Sequence, residues 1–374
     1  MKKIWFLVLV LLVMVQFAWC YELKEVNELN NQKIRSIIGK KFVSYNYVKV
    51  AKKNGNLFIL ARDENSRRLE WFVIDPFAGK LVKKGVCPFQ VITLFGVSPE
   101  NRYALVVSRM PTNMWLLNIE AGEWRAIYQN PEENQPGLAM ISNTPVTFVD
   151  EDSAYVLMDE WDKDHFTTDV AVVSIKVDPP MLDKIISMKD LFADSKEKMA
   201  GCDFEKMELF PGPIRFGPSG SFVYTIQTRE PANNNRLVQK DYIFRFLPPN
   251  IITRVVQSKG IVMPIDYLPY PFQLLFTETL DEKGSKQVIL KYRNNDREKT
   301  LYEGKVLVGS FLDSESAGFG VLEKDGFSIY LGKLDGGIQK VKTYKQVYSV
   351  GFIPGKNRLI LMNDKVIRCI SILP

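Results

Sequence analysis

At 374 residues, with 46% apolar or aromatic and 25% charged side chains, the chain can bury a large core and is neither disordered nor fibrous in composition. Its formal net charge of +6 is spread thinly, with Arg67-Arg68 and Lys83-Lys84 the densest pairs. That argues against a nucleic-acid footprint, which needs clustered cations.

The chain opens on Lys2-Lys3, an apolar run over residues 4–15, and Ala18-Trp19-Cys20 ahead of the polar Tyr21-Glu22-Leu23-Lys24. This is the pattern of a secretory signal peptide, with cleavage expected after Cys20 because Ala18 and Cys20 are the small residues of the site. The run is short for a membrane span. Two alternatives stay open: a lipid on Cys20, disfavoured by the bulky Trp19 before it, or an uncleaved anchor. Residues 1–20 are therefore read as leader and 21–374 as one exported domain, periplasmic or extracellular, without a membrane span.

Past the leader, no helical period dominates. Instead a strand–turn–strand unit recurs, most legibly at Phe95-Gly96-Val97-Ser98-Pro99-Glu100-Asn101-Arg102. An apolar strand over 103–108 follows, then a second over 115–119, a turn at Ala121-Gly122 and an edge strand from Trp124. Pro presets the turn backbone and Gly supplies positive φ, so the punctuation has a mechanism. The order repeats around turns at Asn54-Gly55, Asp150-Glu151-Asp152, Gly217-Pro218-Ser219-Gly220, Pro269-Tyr270-Pro271, Asp313-Ser314 and Pro354-Gly355. A spacing of ~40–50 residues is that of four-stranded propeller blades. Middle strands such as 57–61 and 105–107 are apolar on both alternations, as strands buried on both faces must be.

The Ser98-Pro99-Glu100-Asn101 turn with the 115–122 strand and turn looks like the repeat of the TolB-like, WD40-like propellers. That repeat has a Ser-Pro-Asp-Gly turn and a later strand ending in Asp-x-x-Gly-Gly. Phe216-Gly217-Pro218-Ser219-Gly220 resembles its first half and Leu331-Gly332-Lys333-Leu334-Asp335-Gly336-Gly337 its second. The resemblance implies blade architecture in a bacterial, exported setting and is silent on function.

The expected fold is thus an all-β propeller of about seven four-stranded blades, with six or eight as alternatives, closed by an N-terminal strand. The last unit has room for three strands, and the segment 32–43, with Ile34, Ile37, Ile38, Phe42 and Val43 to bury, is expected to supply the fourth. Stretch 188–211 reads as a loop or short helical insertion. Cys87, Cys202 and Cys369 remain after cleavage; buried, inert thiols are the default, and a Cys87–Cys369 bridge near the closure is the one pairing considered.

Long connections fall on one face: 129–143, 159–169, 188–211, 228–240 and 279–287. Long loops on one rim are where recognition resides. The candidate binding residues are therefore Trp161, Asp162, Asp164 and His165 in one loop and Arg229, Asn234 and Arg236 in the next. A metal site around His165 is outweighed by a solvated hairpin tip, because the spacing fits no calcium loop. No nucleophile elbow, phosphate-cradling loop or dinucleotide fingerprint occurs, and the single histidine leaves little scope for a triad. No catalytic residue, metal or cofactor is expected. The leading reading is a non-enzymatic interaction module of the cell envelope with a protein or peptide partner. The alternative is a small-molecule or glycan-active propeller with paired carboxylates in its channel.

Overall fold

The computed structural model describes residues 21–373 except 109–112, 130–136, 141–145, 163, 165–166, 197–207, 232–236, 283–284, 296, 346, 348 and 364. The expected leader and Cys202 lie outside these. Seven antiparallel sheets follow one another along the chain and form the seven blades of a propeller. Their innermost strands are Phe42–Val50, Ile92–Val97, a split strand in blade 3, Glu208–Phe216, Ile261–Leu268, Val306–Phe311 and Ser349–Ile353. In blade 3 that position is shared by Gly137–Met140 and Thr147–Phe148, both paired to Ser153–Trp161.

Burial follows position within the blade. The middle strands Leu57–Asp63 and Leu69–Asp75 are covered on both faces, whereas the outermost Lys80–Val86 and Arg297–Glu303 are mostly exposed. Doubly covered strands need no alternation, which is why their sequences run apolar throughout. The core is accordingly divided among the seams between blades. Phe58, Trp71 and Phe95 fill the seam of blades 1 and 2, Phe222, Tyr224, Phe244 and Phe246 that of blades 3 and 4, and Phe327 and Phe352 that of blades 6 and 7.

The tight turns hold by side-chain capping. The buried Ser98 hydroxyl accepts from the backbone N–H of Arg102 and Tyr103, both at 3.0 Å, while Asn101 takes φ 61°. A short polar side chain tolerates that left-handed backbone. In the equivalent turn of blade 4, Ser219 and Gly220 take φ 58° and 76°.

The ring is closed by an N-terminal strand, but not by the residues expected. Glu22–Asn30 pairs with Val366–Leu373, running from Glu22 opposite Leu373 to Asn30 opposite Val366, and so completes blade 7. Segment 32–43 instead gives the helix Asn31–Ile38 and the start of blade 1's inner strand. Ile34 and Ile38, four apart, lie on one helical face and are buried at the seam of blades 7 and 1. Asn30 caps the helix by accepting from Lys33 N–H at 2.8 Å, and Gly39 ends it at φ 75°. A second helix, Met188–Lys196, occupies the start of the expected insertion and buries Met188 and Leu191 beside blade 4; Ser195 Oγ lies 2.7 Å from Tyr224 Oη.

Cys87 and Cys369 are both buried and both free, so no bridge joins them. Cys87 packs in the seam of blades 1 and 2, while Cys369 pairs with Asn27 and Ile360 inside blade 7. Among the described residues no helix is long and apolar enough to cross a membrane.

Candidate functional site

Of the loop residues singled out in the sequence, His165, Asn234 and Arg236 lie outside the described residues. Trp161 ends the strand Ser153–Trp161 and is half-buried, in register with Gly137 and Thr167. Asp162 Oδ1 accepts the Asp164 N–H at 2.9 Å, the local bond of a turn, and Asp164 is exposed. Arg229 lies in the strand Phe222–Pro231, opposite Glu208 and Gln239. Among the described residues no group of three His, Cys, Asp or Glu could hold a metal.

A different site emerges at the axis. A cavity of about 590 Å³ is lined by the inner strands of all seven blades. Aligning the blades on their first turns places one residue of each at the same level: Lys49, Gly96, Thr147, Arg215, Asp266, Ser310 and Gly351. Every one is charged, hydroxylated or glycine, and every one precedes an aliphatic or aromatic residue, from Val50 to Phe352. The second residue of each pair packs into a seam between blades, and Val50, Val97, Phe148, Phe216 and Phe352 also border the cavity.

Three ring side chains, Arg215, Asp266 and Lys49, reach the next blade. Arg215, on blade 4, donates from Nε to the Ile265 carbonyl of blade 5 at 3.1 Å, and from Nη1 to Ile214 O at 3.2 Å. Asp266, on blade 5, accepts on Oδ2 from Ser310 Oγ at 2.8 Å and from Phe311 N–H at 2.9 Å, both on blade 6. Lys49, on blade 1, sits 5.6 Å from the Phe95 ring centroid of blade 2. Blade 2's own ring residue is Gly96, which offers no side chain to pair with that ammonium. The Gly96 position also needs the missing Cβ, which would lie 2.5 Å from Val146 O on blade 3.

The ring is therefore electrostatically lopsided. Across blades 4 to 6 Arg215 bonds backbone carbonyls and Asp266 is held by Ser310 and Phe311; across blades 7 to 2 Lys49 stands between two glycines with no carboxylate partner among the described residues. Lys49 and Arg215 are solvent-exposed but recessed between the inner strands, which thins their hydration. Burial accordingly lowers the pKa of both, with Asp266 opposing the shift at Arg215. Asp266 is the one carboxylate among the described lining residues, beside the cations Lys49, Lys52 and Arg215. Among the described lining residues there is no pair of acids ~5–9 Å apart such as the glycan-cleaving alternative requires.

The sequence reading missed this ring because it weighed loops by length. The usable signal was a charge inside an inner strand shortly before a blade's first turn, as at Lys49, Arg215 and Asp266.

No family model and no curated protein matches the chain. Solved structures do. The β-propeller domain of the Trilobed protease from Pyrococcus furiosus, described as having an open velcro topology, superposes with a TM-score of 0.53 at 9% identity. The match covers 88% of this chain and 94% of that one. An oligogalacturonate lyase in complex with manganese matches at 0.53 and 11% identity, over 89% and 90% of the two chains. The acylaminoacyl peptidase of Pyrococcus horikoshii matches at 0.52 and 9% identity, over 85% of this chain and 50% of its own. The likeness is one of fold. The open topology of the first contrasts with the closed ring here, where Glu22–Asn30 completes the last blade.

Proposed function

We propose that this chain is an exported, non-enzymatic β-propeller that serves the cell envelope as a protein- or peptide-interaction module, and that it holds an anionic segment of its partner in the central channel. The observation that carries this reading is the uncompensated Lys49 in a cavity whose only described acid, Asp266, is already engaged by Ser310 and Phe311. Such a lining can position an anion but lacks the acid–base pair needed to move protons in a reaction. The leader over residues 1–20 and the TolB-like turn at Ser98-Pro99-Glu100-Asn101 support the exported, bacterial setting.

The test is a titration of the protein with a fluorescent peptide of consecutive glutamates, followed by anisotropy. Binding that weakens with salt, and falls tenfold or more in Lys49→Glu and in Arg215→Glu, is the expected result. Equal binding by both variants removes the channel from the reading. In parallel, oligogalacturonate incubated with the protein is expected to stay intact. Release of unsaturated uronate would replace the binding module by an enzyme.

A further inference from the structure

The cavity opens toward the tight-turn face, where the first turn of every blade is among the described residues. Lys52 and Pro99 belong to the first turns of blades 1 and 2, and both line it, so it extends from the ring to that face. Of the charged residues in the first turns, Lys52 alone borders the cavity. The acids among them, Glu100, Asp150, Glu151, Asp152, Asp313 and Glu315, stay off its wall. Glu100 is held by Lys53 at 2.9 Å, while Asp150 and Asp313 accept backbone N–H groups of their own turns. Lys52 is exposed, has no carboxylate partner among the described residues, and follows Lys49 by three positions on the same wall.

The turns are also tied to one another. Lys53 N–H donates to Pro99 O at 2.9 Å and Asn54 Nδ2 to Glu100 O at 2.7 Å, joining blades 1 and 2. Glu100 N–H donates to the Glu151 carboxylate of blade 3. From blade 4 to blade 7, Arg245 Nη2 donates to Pro269 O at 2.8 Å, Gln273 Nε2 to Ser314 O at 2.9 Å and Gly355 N–H to Leu312 O at 3.1 Å. A mouth laced in this way keeps its width, because widening it breaks bonds between neighbouring blades.

We infer that the anionic segment of the partner enters the channel from the tight-turn face, passing Lys52 at the mouth before it reaches Lys49. This rests on the channel reading above and adds to it the face of entry and the residue that guides it. The partner is a protein that offers a slim, extended acidic stretch to a mouth of fixed width. Three residues of wall span at most ~11 Å, and alternate side chains of an extended strand repeat every ~7 Å. Two acidic residues in one such stretch therefore meet Lys52 and Lys49 in turn. Lys52 is solvated, so its field acts mainly while the partner approaches; the recessed Lys49 acts on the bound state.

The experiment follows association of the fluorescent glutamate peptide by stopped flow at low and at moderate salt. It compares the parent protein with Lys52→Glu and with Lys41→Glu. The second makes the same charge change at an exposed residue just ahead of the other end of blade 1's inner strand. Lys52→Glu is expected to slow association by about fivefold or more and to flatten its salt dependence. Lys52→Arg is expected to keep the parental rate, and Lys41→Glu to change it by less than about twofold. Circular dichroism confirms that each variant folds. Slowing by Lys41→Glu as large as that by Lys52→Glu overturns the inference, because the guiding field then belongs to no one face. So does an unchanged rate in Lys52→Glu while Lys49→Glu still weakens binding, in which case the broader channel reading stands. If the parent protein does not bind the peptide at all, both fall.

Discussion

Lys49 lies in a channel, and the walls rather than a neighbour set its behaviour. Burial favours its neutral form and lowers its pKa, and the charged groups that share the cavity are Lys52, Arg215 and Asp266. A bound anion reverses the balance, because it stabilises the ammonium and raises the pKa again. Binding therefore draws a proton onto the protein whenever the free amine is partly neutral. The sign follows: affinity for an anionic peptide is full below the lowered pKa of free Lys49 and declines as pH rises through it. Lys49→Arg puts an always-charged group at the same place. Its affinity is expected to stay level over the alkaline range in which the parent protein weakens. Anisotropy titrations of both proteins from pH 7 upward check this, and parallel slopes would show that Lys49 is not the titrating contact.

At the scale of a strand, the close approach of inner edges decides what each ring position tolerates. The Cβ that Gly96 lacks would meet the Val146 carbonyl at 2.5 Å, and a backbone oxygen has nowhere to retreat without separating blades 2 and 3. Gly96→Ala is expected to destabilise the protein by ~1–3 kcal/mol, the usual cost of overpacking, read as a lower denaturant midpoint at unchanged slope. A midpoint equal to the parent's would mean that the seam is loose. Such strands also explain what the sequence disclosed. Doubly covered strands and Pro- or Gly-marked turns write strong local signals, so the blades were legible from Ser98-Pro99, Gly217-Pro218 and Pro354-Gly355. The closing strand was not, because Glu22–Asn30 is an outer edge that fully buries only Leu23 and Leu29 and otherwise reads as polar linker. The apolar run after it drew attention instead, although Ile34 and Ile38 between Asn30 and Gly39 carry a helix's spacing and caps. The ring of Lys49, Arg215 and Asp266 stayed hidden for another reason: single charges inside strands gain meaning only when seven distant segments share one axis.

Over the whole molecule, everything depends on how the circle is shut. Blade 7 contributes three strands from the chain's end, and its fourth comes from residues more than three hundred positions earlier, fastened by Arg368 to Glu28 at 3.2 Å and by Asn27 Nδ2 to Pro76 O at 2.7 Å on blade 1. Leu29, fully buried, packs with Ile34, Ile353 and Ile360 across the seam. Without residues 21–30 the strand Val366–Leu373 would present an unpaired edge with apolar side chains beside it, the arrangement that recruits a strand from another molecule. A protein beginning at residue 31 is therefore expected to unfold at lower temperature and to form dimers or larger assemblies, measured by light scattering after size exclusion. A synthetic peptide of residues 21–31 added in trans should return it to a monomer, because it restores the pairing from Glu22 opposite Leu373 to Asn30 opposite Val366. A peptide of the same composition in scrambled order should not, since Leu23 must reach the seam of blades 6 and 7 and Leu29 that of blades 7 and 1 for the edge to be sealed. Should the shortened chain remain monomeric and melt with the parent, the six blades from Phe42 to Tyr344 would be holding their curvature without the closing strand, and the seams rather than the clasp would be what keeps the channel in shape.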